Sequence, residues 1–248
     1  MPFAAAALLL PAVAAAAMPR RIAISDIHGC ARTFEALLDR ISLGTTDDLY
    51  LLGDFVDRGP RTAQVLDLIV RLQADGYRIH ALRGNHDQYM LDALLLGDKR
   101  SRSAWRSAGA ASTKESYIQP GNPEGRIDPV HIAWLSQLPY YYLLEDYILV
   151  HAGLNFRRNN PLKGKKAMLN RRNWYRHIDY DWLGDRKIVH GHTPLTRQQV
   201  EAQAHPRRRA YPVFDIDAGC FHVKPGMGHL CALNLDDRTF TFVPNQDR

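Results

Sequence analysis

The chain has 248 residues and only three cysteines, Cys30, Cys220 and Cys231, none of them in a C-x-x-C pair. An odd, scattered set builds neither a disulfide framework nor a thiolate zinc site, and it fits a reducing compartment. Long apolar runs are missing as well. The alanine-rich stretch from Phe3 to Ala17 falls short of the roughly 20 residues that cross a bilayer. No period of roughly 20–50 residues repeats and no long linker separates two compositions, so solenoids are excluded and one domain is the simplest organisation. Neither sign of charge dominates: 32 Lys and Arg against 26 Asp and Glu leave a net charge of +6. That balance admits an anionic partner without choosing between nucleic acid and phosphate esters. With 46% hydrophobic and 23% charged residues, the composition is that of an ordinary soluble protein rather than a disordered, collagenous or multi-span membrane chain, and the length is compatible with a single α/β domain.

The Phe3–Ala17 run has the length of a signal-peptide core, with small residues at Ala15 and Ala17, yet no lysine or arginine precedes it. The other reading is an upstream extension, with Met18 an alternative start. The expected organisation is an apolar extension over residues 1–18 and one domain over 19–248. The expected location is cytoplasmic, with export the alternative if the run is a signal.

From Arg21 onward, short apolar runs typical of doubly buried strands alternate with stretches of helical spacing. Strands are predicted at Arg21–Ser25, Leu49–Leu52, Tyr77–Leu82, Tyr140–Leu144, Tyr147–Val150, Ile188–His190, Val213–Ile216 and Leu230–Leu235. Helices are predicted at Ala31–Ile41, Thr62–Ala74, Gln88–Leu96 and Val130–Leu138. Residues 97–128 carry Gly, Ser and two prolines with weak periodicity and read as a surface excursion with short helical pieces.

Every early strand ends in a polar cluster: Asp26-Ile27-His28-Gly29, Gly53-Asp54-Phe55-Val56-Asp57-Arg58-Gly59, and Gly84-Asn85-His86-Asp87. Two later strands end in His151-Ala152-Gly153 and Gly191-His192-Thr193. The carboxyl edge of an open α/β sheet is where ligands bind, so five loops are expected to converge on one crevice. Together they offer the carboxylates Asp26 and Asp54, the Asn85 amide oxygen and the imidazoles of His28, His151 and His192. This mixed nitrogen and oxygen set suits manganese, iron or zinc rather than calcium, and it is large enough for two ions. A single carboxylate between two cations is an economical way to hold them about 3.5–4 Å apart, and Asp54 is the candidate bridge.

These five motifs, in this order over about residues 21–222, resemble the phosphoprotein phosphatase branch of the calcineurin-like metallophosphoesterases, in its bacterial and phage type. The resemblance implies a metallophosphatase β-sandwich flanked by helices, and two divalent metals, with manganese expected and iron or zinc as alternatives. Asp26, His28 and Asp54 would hold the first metal; Asp54, Asn85, His151 and His192 the second. A hydroxide held between the metals would attack phosphorus in line. His86 would protonate the leaving oxygen, a task that suits an imidazole near neutral pH, and Asp57 would orient it. Arg58 would present its planar fork to phosphate oxygens, with Arg83 and Arg171 matching further family arginines and Arg172 competing with Arg171. Three positions depart from the usual pattern: Ser25 stands for a glycine, Asp87 for a glutamate, and Ala152 is central in its motif.

Taken singly, these residues have plainer readings. An Asp57-Arg58 pair alone is a surface ion pair worth about 0–1 kcal/mol, and a lone strand-end histidine is a structural group; the ordered coincidence is what favours the site. His190 is assigned a structural role, and Asp215 and Asp217 a structural or substrate-pocket one. The tract from Arg157 to Arg176 holds eight basic residues and no acidic one, which reads equally as a nucleic-acid patch or a solvated loop beside an anionic site. Arg207-Arg208-Arg209 is too short for a basic signal and receives no function.

The activity expected is hydrolysis of phosphate monoesters, as a serine/threonine phosphoprotein phosphatase acting on phosphorylated proteins or small phosphate esters. The rival is a dinucleoside polyphosphate hydrolase, with a phosphodiesterase or nuclease third. A nucleic-acid binding module is the alternative of another class. No stable nucleic-acid or membrane partner is expected.

Overall fold

A computed structural model of the protein describes residues 19–205 and 211–248. The Phe3–Ala17 run, Met18 and Arg207-Arg208-Arg209 lie outside the described residues.

Three aliphatic runs, β1 (Arg21–Ile24), β2 (Asp48–Leu51) and β3 (Arg78–Ala81), pair in parallel. The right-handed crossover rule places the connecting helices α1 (Ala31–Arg40) and α2 (Thr62–Ala74) against this sheet. Its far side is completed by β8 (His229–Asn234) and β9 (Phe240–Pro244), both antiparallel to their neighbours, in the order β3-β2-β1-β8-β9. A second sheet has the order β4-β5-β6-β7, from β4 (Tyr141–Leu143), β5 (Tyr147–Val150), β6 (Lys187–His190) and β7 (Val213–Asp215). Only β4 runs antiparallel within it.

Strand alternation sorts the core into layers. Ile22, Ile24, Leu49 and Leu51 face the helices and meet Phe34, Leu37, Val65 and Ile69. Ala23, Tyr50 and Leu52 join Tyr147, Leu149, Val189, Phe214 and Leu233 in the buried layer shared by the two sheets. On the far face, Ile148, Val150 and Ile188 pack with Trp174 and Met168. Each fully buried large aliphatic contributes about 1.5–3 kcal/mol. Two sheets with flanking helices are the architecture of the metallophosphoesterase fold.

The register fixes the site: Ile24 pairs with Leu51 and Leu51 with Ala81, so β1, β2 and β3 end level with one another. Gly191 N–H donates to His151 O at 2.8 Å, tying the exits of β5 and β6 in the same way.

The structure departs from the periodicity in three places. Helix α3 (Asn85–Leu95) begins three residues before the expected Gln88, because the Asp87 carboxylate accepts from the N-cap Gly84 N–H and so holds the first turn. The 97–128 excursion holds α4 (Lys99–Ala108) and α5 (Ala110–Ser116), and it buries Trp105 and Thr113. Strand β9 was not anticipated; its Pro244 is tolerated at a sheet edge. The helix expected at Val130–Leu138 is α6 (Pro129–Gln137), and three short α-helices follow it among the described residues: α7 (Lys165–Asn170), α8 (Tyr180–Leu183) and α9 (Arg197–Glu201). None of the described helices is long and apolar enough to cross a membrane.

Candidate metal centre

The strand exits turn abruptly. Nine described residues other than glycine have positive φ, and six of them are Asp26, His28, Asp54, Asp57, Arg58 and His192. This left-handed backbone costs on the order of 1–3 kcal/mol per residue and persists only where the surroundings enforce it, which is typical of functional sites. Close loop packing enforces it here. A Cβ on Gly84 would strike the backbone N and Oδ1 of Asp54, and one on Gly191 would strike Ser25 Oγ and Asp26 Oδ2. Ser25 Oγ itself donates to Asp26 Oδ2, which gives the departure from glycine at that position a structural role.

The expected ligands gather at the strand exits, with Asp26 outside both of the close donor groupings. Asp54 is buried, with His28 Nε2 3.5 Å from its Oδ2 and His151 Nε2 3.5 Å from its Oδ1. His151 Nε2 also lies 3.0 Å from Asn85 Oδ1, and its ring centroid is 5.0 Å from that of His192. Asp26 Oδ2 accepts from His192 N at 3.0 Å. Two groups of donor atoms, one from His28, Asp54 and His86 and the other from Asp54, His151 and His192, each lie within 4.8 Å of one another, and Asp54 belongs to both.

His86 takes the place expected of Asp26 in the first group, but both its ring nitrogens are engaged. Nδ1 pairs with Asp57 Oδ2 at 2.9 Å and Nε2 lies 3.3 Å from Arg58 Nη2. Asp26 lines the same cavity, with its Oδ2 held by Ser25 Oγ and His192 N.

The donor set fits a pair of divalent cations. His28 Nδ1 is 2.9 Å from Val56 O, and His151 Nδ1 is 2.9 Å from Leu52 O. With the proton on Nδ1, each ring presents the Nε2 lone pair to the cavity. Burial pulls the imidazoles of His28 and His151 below their ordinary range and that of His192 down to about 2, so all three are neutral donors at pH 7. Burial, and next the charge of Asp26, push the Asp54 carboxyl well above the usual carboxylate range. That like-charge stress is what bound cations relieve.

Asp87 was not expected to take part, yet it ties the second and third loops together. Its carboxylate accepts from Gly84 N at 2.8 Å, Asp54 N at 2.9 Å and Phe55 N at 3.0 Å. Burial nonetheless raises its pKa to about 6, against the lowering effect of these bonds.

Asp57 is fully buried and holds His86 as expected, but two further residues hold Asp57. Trp105 Nε1 donates to its Oδ1 at 2.9 Å, and Thr113 Oγ1 donates to the same oxygen at 2.8 Å. Trp105→Phe keeps an aromatic side chain in the core and removes, with part of the indole, one donor to a buried carboxylate. It should cost about 1.5–3 kcal/mol of stability in urea unfolding. It should also slow alkyl phosphates more than aryl phosphates; a variant as stable as the wild type would remove Trp105 from this role.

The arginines divide. Arg58 lines the cavity, with its Nε buried and unpartnered and its guanidinium 5.9 Å from the Phe221 ring. Arg172, the competing choice, lines the cavity too, whereas Arg171 lines a separate one. Arg171 has extended backbone, so neighbouring side chains point to opposite sides. Arg83 is held away from the cavity by Ser136 O at 2.6 Å, Gln88 Oε1 at 3.0 Å and Tyr140 Oη at 3.2 Å. The cavity measures about 360 Å³, and its outer wall includes Asp217, Phe221, His222 and Lys224. Asp215 stays outside it, and His190 Nε2 pairs with Tyr175 Oη at 3.1 Å in a structural position.

Two packed sheets whose strand exits gather histidines and carboxylates around one shared aspartate define an α/β metallophosphoesterase. The family model for calcineurin-like phosphoesterases matches residues 19–221, and the chain belongs to that family. It is 32% identical over 133 residues to the symmetrical bis(5'-nucleosyl)-tetraphosphatase of Nitrosomonas europaea, a match covering 53% of this chain and 44% of that one. The chain thus spans less than half the length of that relative. Identity to the asymmetrical bis(5'-nucleosyl)-tetraphosphatase PrpE of Anoxybacillus flavithermus is 26% over 250 residues, covering 90% of this chain and 93% of that one. A solved structure described as a candidate diadenosine tetraphosphatase superposes with a TM-score of 0.61 at 21% identity, over 94% of this chain and 96% of that one. The family match is broader than the phosphoprotein phosphatase branch that the motifs resemble, and both named relatives carry the rival activity.

Proposed function

We propose that the protein hydrolyses dinucleoside polyphosphates by direct attack of water at a two-metal centre. The observation that carries the reaction type is Asp54, which stands between two donor clusters and belongs to both. Asp26, His28 and Asp54 would hold one divalent cation, and Asp54, Asn85, His151 and His192 the other. Such a pair supplies Lewis acidity towards water and phosphoryl oxygens at neutral pH. The chain's own groups do the rest. Arg58 and Arg172 neutralise phosphate oxygens, and His86, oriented by Asp57, delivers a proton to the leaving oxygen.

The substrate reading rests on the two named relatives and on the cavity wall, where exposed Phe221 and basic Lys224 offer an aromatic face and a cation beside the centre. Serine/threonine phosphoprotein phosphatase activity is the second reading. The buried His86–Asp57 pair favours it, because an alkoxide leaving group needs a proton more than a polyphosphate does.

Manganese-loaded protein tested in parallel on diadenosine tetraphosphate and on phosphoserine and phosphothreonine peptides separates the two. A kcat/KM at least about tenfold higher on the dinucleotide is expected, and the reverse order would establish the second reading. The nucleotide products identify the bond cut: ADP alone for symmetrical cleavage, ATP with AMP for asymmetrical.

A further inference from the structure

Beside the metal cavity lies a second concavity of about 500 Å³, lined by Asn155, Arg158, Lys163, Lys165, Lys166, Asn170 and Arg171 together with Gly164 and Ala167. Five of its side chains are cationic and none is a carboxylate. None of the five takes part in an ion pair among the described residues. Lys165 is steadied by the Tyr140 ring, 5.0 Å from its Nζ. Elsewhere the cations are spent differently: Arg20, Arg21, Arg61, Arg78, Arg126 and Arg197 each meet a carboxylate. Five unpaired charges gathered into one concave surface repel one another, and an anion that enters is attracted by all of them.

The concavity adjoins the metal centre by two routes. Arg171 and Arg172 are neighbours in the chain, one lining each cavity. The Tyr89 ring lies 6.0 Å from the His86 ring, and Tyr89 Oη donates to Asn170 Oδ1 at 3.1 Å, so two side chains bridge from the metal cavity to the basic one. Within the metal cavity, Arg58, Arg172 and Lys224 continue the same sign of charge. A phosphate chain with one phosphorus at the metal centre and its remainder turned towards α7 passes from Arg172 in one cavity towards the cations of the other.

We propose that this basic concavity is a binding subsite for the part of a polyphosphate chain that is not being cleaved. The substrate form of this proposal rests on the dinucleoside polyphosphate reading above; the binding form does not. An exposed lysine or arginine loses little by binding phosphate and gains little singly, so the effect comes from several acting together.

The test uses a combined Arg158→Ala, Lys163→Ala, Lys166→Ala variant, which leaves Arg171, Arg172 and the metal centre unchanged. Its KM for diadenosine tetraphosphate should rise roughly tenfold with kcat held, while kcat/KM for p-nitrophenyl phosphate, which has no phosphate beyond the one being cleaved, stays within twofold. An unchanged dinucleotide KM, or equal losses on both substrates, would overturn the subsite. A second arm needs no turnover. Inorganic tripolyphosphate is titrated calorimetrically into full-length Asp54→Asn protein, and the triple substitution on that background should weaken binding roughly tenfold, with a shallower dependence on salt. If the wild-type protein does not cleave the dinucleotide, the substrate reading fails and the calorimetric arm alone decides the subsite. Tripolyphosphate binding that ignores the three substitutions would refute it.

Discussion

Asp54→Asn should abolish turnover, by on the order of 10³-fold or more, while leaving the metal-free protein at least as stable as the wild type. The two effects have opposite signs for one reason. The Asp54 carboxylate is buried against Asp26 and Asp87, and its pKa is pushed well above the usual carboxylate range. In the metal-free fold its charge is therefore unfavourable, and a neutral amide of the same shape relieves it. The amide can still accept from His86 N, which lies 2.9 Å from Asp54 Oδ1. It cannot serve as an anionic ligand to two cations at once, so both donor clusters lose their common member. Thermal melting of metal-free protein and manganese titration of both forms measure the two halves. A variant that melts far below the wild type would mean that Asp54 is structural, and one that retains turnover would end its role as the bridge.

His86→Asn should produce the second largest change, and its size should depend on the leaving group. General-acid help is worth about 10²–10⁴-fold where the departing oxygen is strongly basic, and little where it is not. Alkyl phosphates and phosphoserine peptides should lose activity on that scale, while p-nitrophenyl phosphate should be nearly spared. His86 faces the cavity, and its Nδ1 is held by an Asp57 that is itself pinned by Trp105 and Thr113. Equal losses on both kinds of substrate would instead make His86 a metal ligand, the role its 4.8 Å grouping with His28 and Asp54 also allows.

The ligand candidates were legible because each sits within a few residues of a strand end, and strands are what periodicity reports best. Once β1, β2 and β3 are parallel and in register, Asp26, Asp54 and Asn85 must emerge at one edge; once β5 and β6 pair beside them, His151 and His192 join it. The resemblance to a known family supplied the roles. What escaped was fixed by tertiary packing. Trp105 and Thr113 reach Asp57 from 48 and 56 residues away in a segment with weak periodicity, and nothing local marks them. Arg83 looked suitable beside Gly84, but Ser136, Gln88 and Tyr140 engage both of its terminal amino groups. Arg171 and Arg172 are one residue apart, and only the extended backbone after α7 decides which of them faces the metal cavity. Asp87 did carry a local signal, an acidic residue in the first turn of a helix that follows a glycine, where a carboxylate is placed to accept the unpaired backbone N–H groups.

The positive-φ residues give the same lesson from the backbone. Asp and His tolerate the left-handed region better than most side chains, but Arg58 does not share that tolerance. Its conformation is held by the loop around it, which aims the guanidinium into the cavity beside His86. Sequence pattern supplies the arginine; the fold supplies its direction.

The central claim is that Asp54 lies between two cations. Anomalous diffraction from manganese-soaked crystals, collected on both sides of the manganese absorption edge, addresses it directly. Two peaks about 3.5–4 Å apart, one on each side of Asp54, are the predicted result. A single peak remote from Asp54, or none in crystals of protein that turns over substrate, would contradict it.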